Sequence, residues 1–577
     1  MKNLLKYLKD YKKETFLGPL FKLLEASFEL TVPLIIALII DEAITNSDKG
    51  QLITLSLVLV GLGLVGFICA VSAQYFAAKA ATGFAEKIRS ALFRKIQSFS
   101  FSQIDTMGSS TLITRMTSDI NQVQSGTNLL LRLFLRSPFI VFGAFVMALT
   151  IDTRLSVNFA VTIGVLLVVV FGIMLISMPL YKKVQERLDR VLLSVKENLS
   201  GIRVIRAFCR EDAEKKQFRE RNGELCTHQL KVGRISALLN PLTYVIINFA
   251  IIMLISSGAL RVDSGELSQG ELVALYNYMG SILIELIKLA NLIITVTKAF
   301  ACAGRISKVL DTPTDEKPSF APFSEEKSAF KVSFEKVSLA YGSSEENSLE
   351  DISFDVLPGQ TVGIIGATGS GKSSLVNLIP GFYDCTAGQV RIDGRDVKEY
   401  DKSSLRERIG TVMQSVQLFK GSIRDNLLWG NPNADEDTLK EALERACALP
   451  FVLEKGLDFE LEQGGKNLSG GQRQRLSIAR ALVKKPDILI LDDSASALDF
   501  ATEASLRRAI RTLPFSPTVF IVSQRASSLM HADLILVLDD GRIIARGSHS
   551  ELMNTCETYR EIYKLQFPDG LDREVTE

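Results

Sequence analysis

Six long apolar segments in the first half of this sequence constrain its fold more than any other feature. A helix that crosses a bilayer needs roughly 20 mostly apolar residues. Segments of about that length are predicted to span a membrane at about residues 16–40, 52–73, 129–151, 157–180, 242–260 and 272–299. Apolar residues become sparser after residue 300, so we expect a soluble domain to follow the membrane domain.

The distribution of lysine and arginine predicts how these helices are oriented. Cytoplasmic connections of membrane proteins carry an excess of both residues. They are concentrated in the N-terminal segment (residues 2–13) and in the long connections after the second and fourth spans, whereas the remaining connections are short and weakly basic. We therefore expect both termini to be cytoplasmic, and interpret the basic, amphipathic N-terminal segment as an interfacial helix rather than a cleavable signal.

Several ionisable residues fall inside the predicted spans: Lys22, Glu25, Glu29, Arg132, Arg136, Glu285 and Lys288. Charges at membrane depth are costly and normally face a cavity or an opposite charge. Two interpretations stay open. Either these residues line a polar pathway, or Glu285 pairs with Lys288 at i,i+3 while the long basic side chains extend to the membrane surface.

The second half of the sequence has a different organisation. We assign residues 1–305 to a transmembrane domain, 306–330 to a polar linker, and 331–577 to a domain in which strand-like and helix-like segments alternate. Such alternation is typical of α/β nucleotide-binding domains. Seven scattered cysteines without a CxxC pair indicate neither a disulfide framework nor a zinc site, and a net charge of +1 without a basic run argues against nucleic-acid binding.

The strongest motif is a glycine-rich segment that follows the apolar strand TVGIIG and opens a helix. Its residues are Gly366, Ala367, Thr368, Gly369, Ser370, Gly371, Lys372 and Ser373, followed by Ser374. This GxxxxGK[ST] pattern lets backbone N–H groups surround phosphates at a helix N-terminus. We predict that it binds ATP, with Lys372 on the β- and γ-phosphates and Ser373 on Mg²⁺.

A second apolar strand, ILILDD, ends in Asp492 and Asp493. A carboxylate at the end of a buried strand beside a phosphate loop is suited to hold Mg²⁺. We predict this role for Asp492. The alternative is a solvated pair of loop residues, which the preceding apolar residues make less favourable.

Another glycine-rich turn opens a helix at Leu468, Ser469, Gly470, Gly471 and Gln472. It looks like a second anion site. One ATP cannot occupy two phosphate loops of a small domain unless those loops lie together. We therefore expect this LSGGQ segment to cover ATP that is held by another copy of the domain.

LSGGQ with these flanks resembles the signature of ATP-binding cassette (ABC) domains, and the whole chain resembles an ABC exporter with fused membrane and nucleotide domains. The fold class implied is six transmembrane helices with long cytoplasmic extensions, followed by an α/β P-loop domain. The resemblance implies that Tyr341 stacks on adenine and that Gln414 senses Mg²⁺ and contacts the membrane domain. It also implies a loop that crosses between paired domains, formed by Ser496, Ala497, Leu498 and Asp499. A tyrosine at a strand end is the alternative interpretation of Tyr341.

The sequence departs from the family pattern at both catalytic positions. Asp493 stands where the family usually has a glutamate that polarises the attacking water, and Gln524 stands where it has a switch histidine. A misplacement of a catalytic group by about 1 Å can lower the reaction rate roughly 100-fold. The loop before LSGGQ, residues 459–465, also differs from the usual pattern.

These departures predict an ATP site that binds well and hydrolyses poorly. We expect a heterodimer in which LSGGQ completes the competent site of a second ABC half-transporter, and which exports small amphipathic, drug-like or lipid-like cargo across a bacterial inner membrane. The alternatives are a slow homodimer that uses Asp493 as the base, and an ATP-gated channel or regulatory subunit. An importer is disfavoured by the order of the fused domains.

Overall fold

The computed structural model describes residues 2–313, 328–342 and 346–567. The chain forms two compact units. The first contains Met1–Gln97 and Ser110–Pro313, and the second contains Ser98–Ser109 and Thr314–Glu577. Most of the predicted linker, residues 314–327, lies outside the described residues.

The described part of the first unit is helical. In chain order the helices are α1 (Lys2–Leu5), α2 (Lys12–Leu38), α3 (Lys49–Gln97), α4 (Phe101–Met107, in the second unit), α5 (Ser109–Thr114), α6 (Ile120–Leu133), α7 (Arg136–Ile151), α8 (Thr153–Ser200), α9 (Ile202–Ala207), α10 (Glu211–Ala237), α11 (Leu239–Asp263) and α12 (Gln269–Asp311). A 3₁₀ segment covers Lys6–Tyr11, and π-helical turns cover Ile39–Ile44 and Arg115–Asp119.

Among the residues that the structure describes, six helical stretches are long and apolar enough to cross a membrane: Lys6–Ile44, Lys49–Gln97, Ser109–Ile151, Thr153–Ser200, Glu211–Asp263 and Gln269–Asp311. The predicted fold class is therefore confirmed. The helices are much longer than the spans predicted inside them. The 48 residues of α8 extend roughly 72 Å at 1.5 Å per residue, more than twice the thickness of a hydrocarbon core. The last helix continues to Asp311, so residues 306–311, which were predicted as linker, are helical.

Several of the ionisable residues predicted inside the spans meet in one network that joins three helices. Arg136 at the start of α7 is 6% exposed and bonds Glu285 of α12 at 2.5 Å and Glu29 of α2 at 2.6 Å. Ser137 donates a hydrogen bond to Glu285 at 2.7 Å, and Lys288 bonds the same carboxylate at 2.8 Å. The expected Glu285–Lys288 pair is present. Arg136 does not extend to the membrane surface, because two carboxylates hold its guanidinium among the helices.

The described part of the second unit contains three sheets. The strands are β1 (Val332–Leu339), β2 (Leu349–Val356), β3 (Thr361–Gly366), β4 (Ala387–Ile392), β5 (Arg395–Asp396), β6 (Ile409–Val412), β7 (Gly421–Ser422), β8 (Glu460–Leu461), β9 (Ile488–Asp492), β10 (Thr518–Val522), β11 (Leu534–Asp539) and β12 (Arg542–Gly547). An antiparallel sheet has the order β2-β1-β4-β5, a six-stranded sheet has the order β12-β11-β3-β10-β9-β6, and β7 pairs with β8.

The helices of this unit surround the six-stranded sheet. They are α13 (Lys372–Leu378), α14 (Lys402–Glu407), α15 (Ile423–Leu428), α16 (Glu436–Arg445), α17 (Leu449–Lys455), α18 (Gly470–Val483), α19 (Phe500–Arg511), α20 (His549–Thr555) and α21 (Glu557–Gln566). The central strands β3, β9 and β10 are nearly all buried apolar residues, as expected of parallel strands covered on both faces.

The parallel register of these strands places three sequence motifs at one edge of the sheet. Strand β10 pairs with β3 and β9, so that Val522 lies opposite Ile364 and Asp492. The phosphate loop follows β3, the acidic pair ends β9, and Gln524 follows β10. Ligands of parallel α/β sheets bind at the carboxyl ends of the strands, and this edge is therefore where a nucleotide site is expected.

Helix α4, from the connection between the second and third apolar helices, packs within the second unit. The ring of Phe101 lies 4.5 Å from that of Phe382, and the Tyr383 hydroxyl donates to Asp105 at 2.7 Å. A segment of this connection is therefore bound by specific contacts to residues that follow the phosphate-loop helix. Ser100 caps the helix and forms a capping box with Gln103.

The buried ion network predicts a large loss of stability when its central cation is removed. The substitution Arg136→Ala leaves the carboxylate of Glu285, 2% exposed, without its arginine partner. We expect a loss of about 3–5 kcal/mol in unfolding free energy, measured by denaturation of the protein in lipid nanodiscs. The matched control is Arg187→Ala, whose pair with Glu224 is largely exposed and should change stability by about 1 kcal/mol or less. Equal losses in the two variants would contradict this account.

Candidate functional site

An open polar cleft of about 420 Å³ lies at the carboxyl ends of β3, β9 and β10. It brings together residues that are far apart in the sequence. The described residues that line it are Glu346, Asn347, Ser348, Thr368, Gly369, Gly371, Lys372, Ser373, Ser374, Gln414, Asp492, Asp493, Val522, Ser523, Gln524, Asp540 and Gly541. The predicted phosphate loop, Mg²⁺ carboxylate, Gln414 and both divergent catalytic positions therefore share one cleft.

The phosphate loop runs from the end of β3 at Gly366 to the start of α13 at Lys372. Gly369 and Gly371 have φ of 88° and 92°, a region that favours glycine. A Cβ at Gly371 would also lie 2.7 Å from the Ser348 carbonyl oxygen. The loop needs glycine at this position both for its backbone conformation and for this close approach.

Lys372 is held inside the loop by main-chain oxygens. Its ammonium donates to the carbonyls of Gly366 at 2.9 Å and Ala367 at 2.6 Å. Burial lowers the pKa of this lysine, although the nearby charges of Asp492 and Asp493 raise it. The hydroxyl of Ser370 is buried without a hydrogen-bond partner. An ammonium group and an unsatisfied hydroxyl in a glycine loop fit the oxygens of a bound polyphosphate.

The predicted Mg²⁺ ligands also lie together. The Ser373 hydroxyl donates to a carboxylate oxygen of Asp492 at 3.0 Å. Among the described residues, no group of three or more His, Cys, Asp or Glu side chains could hold a metal. One hydroxyl and one carboxylate fit Mg²⁺, which takes few protein ligands and completes its shell with phosphate oxygens and water.

Asp492 and Asp493 share an acidic environment. Burial raises the pKa of Asp492, and the neighbouring charge of Asp493 raises it further, whereas the hydrogen bond from Ser373 lowers it. Burial also raises the pKa of Asp493, against a hydrogen bond from Gln414 and the positive charges of Lys372 and Arg525. A divalent cation beside these carboxylates would favour their ionised forms.

Asp493 stands in an unusual backbone conformation. Its φ is 46°, in the left-handed region that aspartate tolerates better than most residues. Its N–H donates to the Val522 carbonyl at 3.1 Å, which ties it to the end of β10. The Asp493 side chain is directed to the cleft, where its partner is Gln414.

Tyr341 lies just after β1, beside the phosphate-loop helix. Its hydroxyl donates to Ser374 at 2.9 Å, and its ring meets that of Tyr383 edge to face at 5.0 Å. Burial raises the pKa of this tyrosine. Tyr341 thus contacts the phosphate-loop helix but is not among the described residues that line the cleft, and adenine stacking by this ring stays a prediction.

The LSGGQ segment forms the start of α18. Ser469 caps this helix by accepting a hydrogen bond from the Gln472 N–H, and the Gln472 side chain bonds the Ser469 N–H in return. Within the described chain, the lining of the cleft includes none of the five LSGGQ residues. This agrees with the expectation that LSGGQ does not cover ATP in its own chain.

One residue that the sequence did not indicate links LSGGQ to the predicted cross-dimer loop. Gln474 of α18 is 6% exposed, donates to the Ser496 hydroxyl at 3.2 Å and accepts from the Ala497 N–H at 3.1 Å. Leu498 is buried, and Asp499 caps α19 by accepting from the Thr502 N–H. The only sequence signal for Gln474 is a polar residue on the inner face of an amphipathic helix.

The turn between β11 and β12 also contributes to the cleft, and sequence reasoning missed it. Asp540 and Gly541 line the cleft beside Ser348. The Gly541 carbonyl accepts from the Glu350 N–H at 2.8 Å, which links the two sheets. The turn motif DDG was visible in the sequence, but nothing there indicated that it lies near the phosphate loop.

Asp492 gives a prediction about stability. Burial raises the pKa of Asp492 in the folded protein, so ionisation of this carboxylate at pH values above the ordinary aspartate pKa destabilises the nucleotide-free fold. We expect Asp492→Asn to raise the melting temperature by roughly 2–4 °C in EDTA, equivalent to about 1 kcal/mol. The same variant should lose the additional stabilisation that Mg²⁺ gives with ATP. A lower melting temperature in EDTA would contradict this assignment.

Comparison with protein families gives two matches. The family described as "ABC transporter transmembrane region" matches residues 15–286, and the family described as "ABC transporter" matches residues 349–496. The first region covers most of the helical unit, and the second covers the phosphate loop, Gln414, Asp492 and LSGGQ.

Individual relatives match along nearly the whole chain. The uncharacterized ABC transporter ATP-binding protein YfiB of Bacillus subtilis is 37% identical over 98% of this chain and 99% of its own length. An ATP-dependent lipid A-core flippase of Vibrio parahaemolyticus is 28% identical over 98% of this chain and 97% of its own length. The solved structure of a bacterial Atm1-family ABC exporter with ATP bound has a similar fold, with a TM-score of 0.81 at 22% identity, covering 97% of this chain and 99% of that one.

Proposed function

Because this chain belongs to the ABC transporter family, with membrane and ATP-binding regions fused in one polypeptide, we propose that it is one half of a heterodimeric, ATP-driven exporter. The chain is a multi-pass membrane protein of a family whose half-transporters act as dimers and couple ATP hydrolysis to transport. The observation that carries the proposal is the shared cleft, where an intact phosphate loop and Mg²⁺ carboxylate meet two divergent catalytic residues.

The binding half of the site supports tight MgATP binding. Lys372 and the unsatisfied Ser370 hydroxyl supply contacts to phosphate, and Ser373 with Asp492 supplies oxygen ligands to Mg²⁺. These groups bind the ground state of the nucleotide and orient it. By themselves they do not activate a water molecule for attack on the γ-phosphate.

The catalytic half of the site supports slow hydrolysis. Asp493 is one methylene shorter than glutamate, and the hydrogen bond from its N–H to the Val522 carbonyl keeps its backbone from shifting to make up that length. Gln524 can donate a hydrogen bond to phosphate but carries no positive charge. General-base catalysis contributes about 10²–10⁴-fold, so a misplaced base would leave ATP bound for long periods.

The signature segment supports the complementary role in a partner. Ser469 and its helix N-terminus are intact, and Gln474 links them to the predicted cross-dimer loop. We infer that LSGGQ completes the ATP site of a second half-transporter, which supplies a catalytic glutamate and a switch histidine.

We infer that the cargo is a small amphipathic compound. Two members of the charge network, Glu29 and Lys288, have side chains 45% and 41% exposed and would contact polar groups of a cargo, while the apolar helices around them suit its apolar part. A relative is named as a lipid A-core flippase, which agrees with lipid-like cargo. The basic connections support cytoplasmic termini, and the bacterial origin of the relatives supports a bacterial inner membrane.

One observation favours a second candidate, a homodimer that uses Asp493 as its base. Burial raises the pKa of Asp493, and Gln414 orients its carboxylate in the cleft. Both features are expected of a working general base. The same residue therefore distinguishes the two candidates.

ATPase assays of the full chain in lipid nanodiscs distinguish the heterodimer from the homodimer. We expect little hydrolysis by the chain alone and strong hydrolysis when it is combined with a half-transporter that has both catalytic residues. Combined Asp493→Glu and Gln524→His substitutions should raise hydrolysis by the chain alone by about 10-fold or more, because they supply a longer base and a cation. Robust activity of the unmodified chain, abolished by Asp493→Asn, would instead support the homodimer.

Helix α4 gives a prediction about coupling to the membrane helices. Phe101→Ala removes the ring that packs on Phe382 and should reduce cargo-stimulated ATPase of the dimer several-fold. MgATP affinity should stay within about twofold, since Phe101 does not line the cleft. Phe142→Ala, at a 68% exposed apolar side chain, is a control for the loss of a phenyl ring. Equal stimulation in wild type and Phe101→Ala would argue against a coupling role.

A further inference from the structure

The last helix of the described chain holds the loop that carries Gln524. Gln566 ends α21, and its side-chain amide makes two hydrogen bonds to main-chain groups of that loop. It donates to the Gln524 carbonyl at 2.7 Å and accepts from the Ala526 N–H at 2.8 Å. One side chain therefore fixes the backbone on both sides of Arg525.

The helix that carries Gln566 is itself anchored to the same loop. Tyr559 of α21 is fully buried in a cluster with Ala526 and Leu529, and Ile562 and Tyr563 pack against that cluster. These contacts hold the end of α21 beside residues 524–526. The two hydrogen bonds are thus made between elements that already pack together, which lowers the entropy cost of forming them.

The other attachments of the loop hold the residues on either side of Gln524. The Arg525 N–H donates to the Ser523 hydroxyl at 3.0 Å, a contact that spans Gln524 without engaging its carbonyl. Ser523 is tied to β3 through its N–H and the Ile364 carbonyl at 3.1 Å. On the far side, buried Glu503 of α19 bonds Arg525 at 3.1 Å and also accepts from the hydroxyl of Ser528. Gln566 instead donates its hydrogen bond to the Gln524 carbonyl itself. This bond therefore restrains the main-chain orientation of Gln524 just after the end of β10.

We propose that Gln566 is a positioning residue, which sets the main chain at Gln524 so that its side-chain amide reaches the γ-phosphate of bound ATP. This inference rests on the proposed function, because it requires ATP in the cleft that Gln524 lines. A neutral glutamine binds phosphate only through a directional hydrogen bond, which weakens when its geometry changes. Its contribution to ATP affinity therefore depends more on a fixed backbone than the contribution of a positively charged side chain would.

Nucleotide discrimination tests the proposal without requiring hydrolysis. The full chain in lipid nanodiscs is titrated with Mg²⁺ and either ADP or a non-hydrolysable ATP analogue. Gln566→Ala should weaken binding of the ATP analogue by about tenfold, the size expected for one hydrogen bond to a charged group, and leave ADP binding unchanged. Leu565→Ala, at the adjacent 83% exposed residue, is the matched control and should change neither affinity.

A double-mutant cycle separates positioning from general stabilisation. Gln524→Ala should give the same selective loss as Gln566→Ala, and the double variant should lose no more than either alone, because both act on one contact. Additive losses, or equal weakening of ADP and the ATP analogue, would overturn the proposal and leave Gln566 a residue that only stabilises the fold.

Amide hydrogen exchange and a third variant distinguish the two hydrogen bonds. Gln566→Glu can still accept from the Ala526 N–H but cannot donate to the Gln524 carbonyl. We expect Ala526 to stay protected from exchange in Gln566→Glu and to lose protection in Gln566→Ala, while both variants lose the preference for the ATP analogue. Unchanged preference in Gln566→Glu would overturn the assigned role of the Gln524 carbonyl.

The wild-type titrations keep this inference separate from the proposed function. A wild-type chain that binds neither nucleotide would overturn the ATP site itself, whatever exchange shows at Ala526. A wild-type chain that prefers the ATP analogue, with the preference unchanged in Gln566→Ala, would overturn the positioning role alone.

Discussion

The parallel pairing of β10 with both β3 and β9 is the constraint on which the nucleotide-binding unit depends. These strands are buried on both faces and pair in a register that brings Gly366, Asp492 and Val522 to one edge of the sheet. The loops that follow them supply the lysine, the carboxylates and Gln524. A shift of one strand by a single residue would turn its buried side chains to the opposite face, so the register and the site are maintained by the same apolar packing.

Hydrogen bonds to main-chain groups fix several residues of the nucleotide site. Lys372 is bonded to two carbonyls, Asp493 to the end of β10, and Gln524 to Gln566. Groups that bind the ground state of ATP are complete, whereas the two residues nearest to the reaction are a short carboxylate and a neutral amide. Such a site would favour retention of ATP over its turnover, which is useful in a dimer only if the second site hydrolyses.

The packing of the membrane unit depends on buried charges that are paired with opposite charges. Arg136 and Glu285 come from α7 and α12, and each would be costly alone among apolar helices. Together with Glu29, Ser137 and Lys288 they form a single network of ion pairs and hydrogen bonds, in which the Arg136 Nε alone of the guanidinium nitrogens has no hydrogen-bond partner in the part of the chain that the structure describes. The network joins three of the apolar helices, so a polar group that entered among them would change the contacts of several helices at once.

Local patterns in the sequence were sufficient for the fold class, the six apolar helices and the motifs of the phosphate loop, ILILDD and LSGGQ. Each of these signals depends on consecutive residues: an apolar length that matches a bilayer, glycines at fixed spacing, or a carboxylate at a strand end. The divergence at Asp493 and Gln524 was also visible, because it is a matter of residue type. What sequence alone determined is therefore the chemistry that each segment carries.

Only the tertiary structure decided which segments meet. It joined Arg136 to Glu29 and Glu285, brought Asp540 and Gly541 to the cleft, linked Gln474 to the predicted cross-dimer loop and placed Gln566 against the main chain at Gln524. It also extended α12 through residues 306–311. The partners are far apart in the sequence: Gln474 and Ser496 are separated by 22 positions, and Arg136 and Glu285 by 149. The side chains involved are common polar types, and no local sequence pattern marks them. Their partners follow from strand order and helix packing, which no single segment encodes.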